Sequence, residues 1–302
     1  ISLLVNSLYN MVDQIFIGQG VGYLGNGATN IIYPLTVIVL SIALMLGDGG
    51  ASFLSLCLGE GKKEEGAKGI GSVITFSVVV GIIIAVLMAV FLEDLVYLFG
   101  CTETLYPYAM DYGRIIIIGL PFVLVGTVFT AIERADGSPQ YSMVSLLVGA
   151  VTNTILDPIF IFVFQWGVKG AALATIIGQI FTFLMGLNYI RRFRSIQLKK
   201  SDYKIHFHSC KKVMGLGISS FITQMSIVIV MAGINNLLTK YGALSEYGSE
   251  IPIAVVGIVI KVNQLVIAAT VGIASGAQPI IGFNYGAGNI KRVKQTFRCV
   301  VI

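Results

Sequence analysis

Three sets of polar residues recur at helical spacing inside otherwise apolar sequence. Asn6, Asn10 and Asp13 stand at i, i+4 and i+7; Gly149, Asn153 and Asp157 at i, i+4 and i+8; Thr175 and Gln179 at i and i+4. Each spacing puts its residues on one face of a helix, so three stripes can converge on one internal site. Two chemistries suit such a site. A carboxyl group in a low-dielectric setting has its ionised form disfavoured and can carry a proton. Ionised, and flanked by amide and hydroxyl oxygens, the same group offers hard oxygen ligands to a small cation, so sodium is an equal candidate. Pro158, next to Asp157, removes one backbone hydrogen bond, which frees a carbonyl a turn earlier and lets the helix bend.

The elements that must position these residues are membrane spans. The 302-residue chain is 56% hydrophobic, has a mean hydropathy of +0.87 and is only 12% charged, against about 25% in soluble domains. Charge-free runs cover 14–47, 69–92, 137–156, 170–190, 213–239 and 262–290, each reaching the ~20 residues a spanning helix needs. Continuous apolar runs of that length favour a helical bundle over the alternating short strands of a barrel. Spans are expected at 1–18, 28–50, 70–92, 113–132, 139–164, 168–190, 212–238 and 252–280, with a ninth opening at 297. The first residues lack an initiator Met and a basic n-region, and read as the start of a helix, not a signal peptide.

Alternating the loops across these spans puts sixteen of the twenty Lys and Arg on one side. That side is expected to be cytoplasmic, which starts the first span in the cytoplasm and places the protein in the cell (inner or plasma) membrane. The net charge of +5 therefore reflects topology and calls for no nucleic acid. The basic stretch 191–211 reads as a cytoplasmic linker between a first six-helix lobe, 1–190, and the start of a second, 212–302. His206 and His208 in it lack further ligands nearby and read as part of a solvated loop. The four cysteines form no CxxC pair and imply no disulfide framework.

Repetition supports two lobes. The stretch from Gly47, GDGGASFLSLCLGEGKKEEGAK, is similar to that from Gly272, GIASGAQPIIGFNYGAGNIKRVKQ; Gly50 and Gly276 lie 226 positions apart, Gly59 and Gly286 227. The second span thus corresponds to the eighth, and an even-numbered repeat preserves orientation. The expected fold is an all-α polytopic membrane protein of two six-helix lobes, related by a pseudo-two-fold axis along the membrane normal. The second lobe is incomplete, about four helices being expected beyond Ile302.

Polar groups inside spans face a bundle interior or a watery cavity. The competing reading is that they hydrogen-bond helices together, and it weighs evenly for Asn6, Asn10 and Gln179. It weighs less for Asp13 and Asp157, which have no cationic neighbour in the first-lobe spans, and prevails for Asp48, set between glycines near the basic side. In the second lobe Gln224, Asn235, Asn263 and Gln264 are candidates to line a cavity. Its acids, Asp202, Glu246 and Glu250, fall in loops, which assigns ion coupling to the first lobe. Lys261 is a lone cation inside the eighth span that can snorkel or line the cavity. No Gly-x4-Gly-Lys-[Ser/Thr] cradle is present, so an ion gradient is the remaining energy source, with no cofactor and no enzymatic role.

The first-span sequence NSLYNMVDQIFIGQGVG, the fifth-span NTILDP and the six-plus-six repeat with its GEGKKEEGAKG loop resemble the multidrug and toxin extrusion (MATE) transporters, in particular the DinF-like branch. The resemblance implies twelve helices in two lobes around a central cavity. It also implies export of small cationic or amphipathic drugs in exchange for H+ or Na+, by a transporter acting as a monomer in the lipid bilayer. The family's first-lobe cation site corresponds to Asp13, Asn153, Asp157 and Thr175. Two alternatives stay open. A flippase for a lipid-linked saccharide would share the architecture but call for a strongly cationic cavity. An intramembrane aspartyl protease is suggested by MLGDGG at 45–50, but the Gly-x-Gly-Asp it requires fails at Met45.

Overall fold

A computed structural model describes residues 2–301, the side chains of 2–6, 9 and 261 excepted; the roles considered for Asn6 and Lys261 thus lie outside the described residues. The helices are α1 (Ser2–Gly20), α2 (Tyr23–Gly59), α3 (Lys63–Val90), α4 (Leu92–Leu98), α5 (Tyr106–Ala135), α6 (Pro139–Pro158), α7 (Gly167–Tyr189), α8 (Phe207–Gly242), α9 (Glu250–Gly286) and α10 (Ile290–Val301). Among the described residues there is no strand. A π-helical turn, Ile159–Val163, continues α6, and two 3-10 turns, Ile190–Arg192 and Lys200–Tyr203, lie between α7 and α8.

Among the described residues seven helices, α2, α3 and α5 to α9, are long and apolar enough to cross a membrane. The first expected span, α1, falls short of that measure because its own polar stripe, including Asn10, Asp13 and Gln14, dilutes its 19 residues. It still packs lengthwise on α6 and α9. Apolar side chains such as Ile82, Ile83, Val86 and Val90 of α3 stand exposed, as expected where the solvent is lipid.

Several boundaries differ from expectation. Helix α8 starts at Phe207, so the connection from α7 spans 190–206 and stops short of 211. Helix α10 opens at Ile290, seven residues before the ninth span expected at 297. Charged residues end an apolar run but continue a helix readily, so helices outlast their hydropathy. The connection is also fastened down. Buried Asp136 accepts Tyr189 Oη at 2.7 Å, Arg194 N at 2.8 Å and Ser195 N at 2.9 Å. Further on, Ser72 Oγ donates to Lys204 O at 2.8 Å and lies 3.0 Å from His206 Nδ1. His206 thus caps a docked segment.

Helix α2 is the axle, packed on α5 of its own lobe and on α8 and α9 of the other. The repeat is visible in the backbone. Helices α2 and α9 end at Gly59 and Gly286, and each is followed two residues on by a glycine with positive φ, Gly61 at 76° and Gly288 at 70°, the left-handed conformation that terminates a helix. The contact is reciprocal: a Cβ on Gly59 would lie 2.2 Å from Phe283 O, and one on Gly286 2.4 Å from Leu56 O. Equivalent residues touching equivalent residues is what a two-fold axis between α2 and α9 produces.

Candidate functional site

Helix α1 brings Asp13 and Gln14 into the first lobe, both buried. Gly20 near its end lies against the π turn, where a Cβ would be 2.2 Å from Ile161 Cγ2. The turn is the local consequence of Pro158. Without its N–H the α-helical ladder cannot close on Thr154, and the chain widens by one residue until Phe164 N bonds Ile159 O at 2.9 Å. Asp157, the residue before the proline, is fully buried.

Helices α6 and α7 approach through glycine. A Cβ on Gly149 would sit 2.7 Å from Gly178 O, and one on Gly178 2.6 Å from Gly149 O. Only bare backbones fit there, and the close approach carries Thr175 to Asn153. Asn153 Nδ2 donates to Asp157 Oδ1 at 3.3 Å and to Thr175 Oγ1 at 3.4 Å, while buried Asn153 Oδ1 has no hydrogen-bond partner. The carboxyl of Asp13 stands beside that of Asp157, and the two interact directly. A cavity of about 30 Å³ adjoins the cluster, lined among others by Asn153, Thr175, Gln179 and Thr182, enough for a water molecule.

The structure thus unites the four residues expected to form one site, Asp13, Asn153, Asp157 and Thr175, and puts Gln179 on the cavity wall. Asn10, on α1, is half-buried. Two residues of α2 not singled out from the sequence, Asn26 and Thr29, adjoin α1. Gln14 bonds Asn26, and its amide donates to Thr29 Oγ1 at 3.3 Å. Asn26, Thr29, Asn30 and Tyr33 recur at i, i+3, i+4 and i+7, a stripe that periodicity alone could have flagged.

The second-lobe candidates are distributed differently. Asn235 is fully buried and its Oδ1 accepts Asn30 Nδ2 at 3.1 Å, which also bonds Ile253 O at 3.1 Å. Gln264 donates to Tyr33 Oη. Nearer the basic end Asp48 accepts Ser220 Oγ at 2.8 Å and pairs with Arg134 at 3.9 Å, and Gln278 donates to Asp48 O at 2.9 Å and Ser52 Oγ at 2.8 Å. These contacts form one polar seam down α2, joining the lobes. Asp48, Asn235 and Gln264 therefore bridge lobes in this arrangement, whereas Gln224 is half-buried and Asn263 exposed.

Residues 1–159 and 238–302 match the family model MatE. The chain belongs to the MatE family. Among solved structures it resembles the MATE multidrug transporter DinF-BH, with a TM-score of 0.92 and 34% identity over 99% of this chain and 66% of that one. Curated MATE relatives include the multidrug export protein MepA of Staphylococcus haemolyticus, 27% identical over 99% of this chain and 66% of its own length. Another is the probable multidrug resistance protein YoeA of Bacillus subtilis, 24% identical over 99% of this chain and 65% of its own. The chain thus spans just under two thirds of the length of the curated relatives it matches. As a MATE-family chain it is an all-α, multi-pass membrane protein.

Proposed function

We propose that this MATE-family protein is a secondary-active antiporter that exports cationic or amphipathic compounds in exchange for H+ or Na+, with Asp13, Asn153, Asp157 and Thr175 as the coupling site. The observation that carries the reading is the convergence of Asn153 on both Asp157 and Thr175, next to the Asp13–Asp157 pair. Two buried carboxyl groups side by side cannot both stay ionised cheaply. A proton or a sodium ion between them relieves the repulsion, and the free Asn153 Oδ1 is an acceptor suited to either. Loading the site therefore changes how tightly α1 is drawn onto α6. The π turn after Pro158, on which Gly20 rests, is where α6 can bend in response. Substrate affinity follows if the loaded and empty packings expose the cavity to different sides. The basic end is assigned to the cytoplasm by the positive-inside rule.

The test is efflux of a fluorescent organic cation from proteoliposomes of the full-length protein under separately imposed proton and sodium gradients. One gradient should drive efflux, and Asp13→Asn and Asp157→Asn should each abolish it in folded protein. Gradient-driven efflux that survives both substitutions sinks the site; no efflux under either gradient, with binding of an anionic lipid carrier, replaces drug export by lipid flipping.

A further inference from the structure

A buried acid elsewhere in the first lobe has no part in this site. Glu133, two residues from the end of α5, is only 1% exposed, and neither of its carboxyl oxygens has a hydrogen-bond partner. Helical side chains lean toward the N-terminus of their helix, so Glu133 reaches back into the lobe instead of out toward the basic end.

The charged groups around it are engaged elsewhere. Arg134, the charged group acting on it, is turned to Asp48 on α2 at 3.9 Å. Asp136 is occupied by Tyr189 and the connection after α7. The charged residues that open α3, Lys63, Glu64, Glu65 and Lys68, are exposed. Helix α6 has no charged residue before Asp157, and α7 has none after Lys169. The polar side chain of α6 that acts on Glu133 is Ser145, whose hydroxyl donates to Tyr141 O at 3.0 Å. With Arg134 drawn to Asp48 and the Ser145 hydroxyl committed to Tyr141, an ionised carboxylate here is poorly compensated for its burial. The group is thus built to hold a proton.

Ser145 also begins a continuous buried stripe. Ser145, Gly149, Asn153 and Asp157 follow one another at intervals of four, all on the buried face of α6. The stripe covers about 18 Å at 1.5 Å per residue. The 30 Å³ cavity lies along it, between Ser145 and Asp157. Its wall includes Leu146, adjacent to Ser145, and Thr182, whose hydroxyl donates to Ser145 O at 3.3 Å. Asn153 closes its other end and touches Asp157. Polar groups and one water-sized space therefore run from one buried carboxyl to another.

We propose that Glu133 is the basic-end terminus of a proton path through the first lobe, leading past Ser145 and the cavity to Asn153 and Asp157. This rests on the reading of Asp157 as the coupling acid. Glu133, held as the acid, gives up its proton on the basic side, and the carboxylate so formed is refilled by the proton of Asp157, passed along the polar stripe and a water in the cavity. Asp157 then takes up the next proton, and the cycle returns to a protonated Glu133 with no other bond formed or broken. The path suits protons and not sodium, because around Glu133 no array of oxygen ligands replaces a hydration shell.

The experiment uses the full-length protein in proteoliposomes, with efflux of a fluorescent organic cation driven by a pH gradient and with equilibrium binding of the same dye as the second readout. Glu133→Gln should slow pH-driven efflux by on the order of a hundredfold, the lower end of what a positioned proton-transfer group contributes, while dye affinity is unchanged. Wild-type efflux in Glu133→Gln overturns the path, as does a loss matched by lost dye binding. Should Glu133→Gln not fold, Glu133→Asp decides. Shortening the acid should enlarge the solvent deuterium isotope effect on efflux, and an unchanged isotope effect refutes the proposal. Asp157→Asn run in parallel separates the two ideas: normal export in that variant removes the coupling site itself, whereas an inactive Asp157→Asn beside a fully active Glu133→Gln removes only the path.

Discussion

Asn153 is the residue on which the proposed coupling cluster turns, because one amide group serves two partners and leaves its oxygen open. Asn153→Leu, close in volume, removes both donors and the acceptor at once, so gradient-driven export should fall as far as in Asp157→Asn. Thr175→Val removes one hydrogen bond only, worth about 1 kcal/mol or roughly fivefold in rate. Equal losses in the two variants, measured by dye efflux, would refute this ranking. A second residue-scale expectation concerns Cys101, in the connection between α4 and α5. Burial first, and Glu103 second, push its thiol up to about 12. Since the thiolate is the reactive form, maleimide should leave Cys101 of the folded protein essentially unmodified at pH 8 and label it only as the pH climbs toward that value. Fast labelling at neutral pH, followed by mass spectrometry of the peptide, would contradict the burial.

Between elements, glycine decides how close helices come. A Cβ at Gly59 or Gly286 would run into a backbone carbonyl across the lobe interface, 2.2 Å from Phe283 O or 2.4 Å from Leu56 O. Backbone cannot rotate aside as a side chain can. Gly59→Ala and Gly286→Ala should therefore each cost about 1–3 kcal/mol, as overpacking does, and to similar degrees because the contact is reciprocal. Gly126→Ala, whose Cβ would meet Phe183 at an ordinary 3.7 Å, is the control that should be tolerated. Thermal unfolding in detergent checks all three, and equal behaviour of Gly126→Ala and Gly59→Ala would refute the clash. Most of these elements were legible in the sequence, since a bilayer demands long uncharged runs and the repeat in glycine spacing survives as matching helix ends. What escaped did so for physical reasons. Helix α4 is seven residues, too short for its period to register. Glu133 sits beside Arg134 and near a turn, so it reads as half of a solvated pair, and only the structure shows the arginine turned away to Asp48. Asn235 and Gln264 were recognisable as buried polar groups, but no spacing within one helix reveals a partner more than 200 positions away.

On the scale of the molecule, α2 holds the two lobes together from one end to the other. Asn30 meets Asn235 and Ile253 at the end away from the basic loops, Tyr33 meets Gln264, Asp48 and Ser52 meet Ser220 and Gln278, and Gly59 meets Phe283 at the basic end. Each interhelical hydrogen bond in a membrane contributes only about 0.6 kcal/mol on average. A seam made of such bonds is firm as a set yet can open from one end a few contacts at a time. The proposed antiport, if it works by rocking one lobe against the other, requires that opening, and Asn30 is the contact to lock. A Cβ on Gly257 would lie 2.9 Å from Cβ of Asn30, close enough that a shift of somewhat under 1 Å reaches the ~3.8 Å spacing of a disulfide. The double variant Asn30→Cys, Gly257→Cys, made in a background lacking the four native cysteines, should oxidise readily. Efflux should then stop, while each single variant still transports and reduction of the bridge restores activity. If the oxidised double variant exports as fast as its reduced form, the lobes do not part at this end, and the motion that carries substrate must be sought within a lobe, around the bend at Pro158.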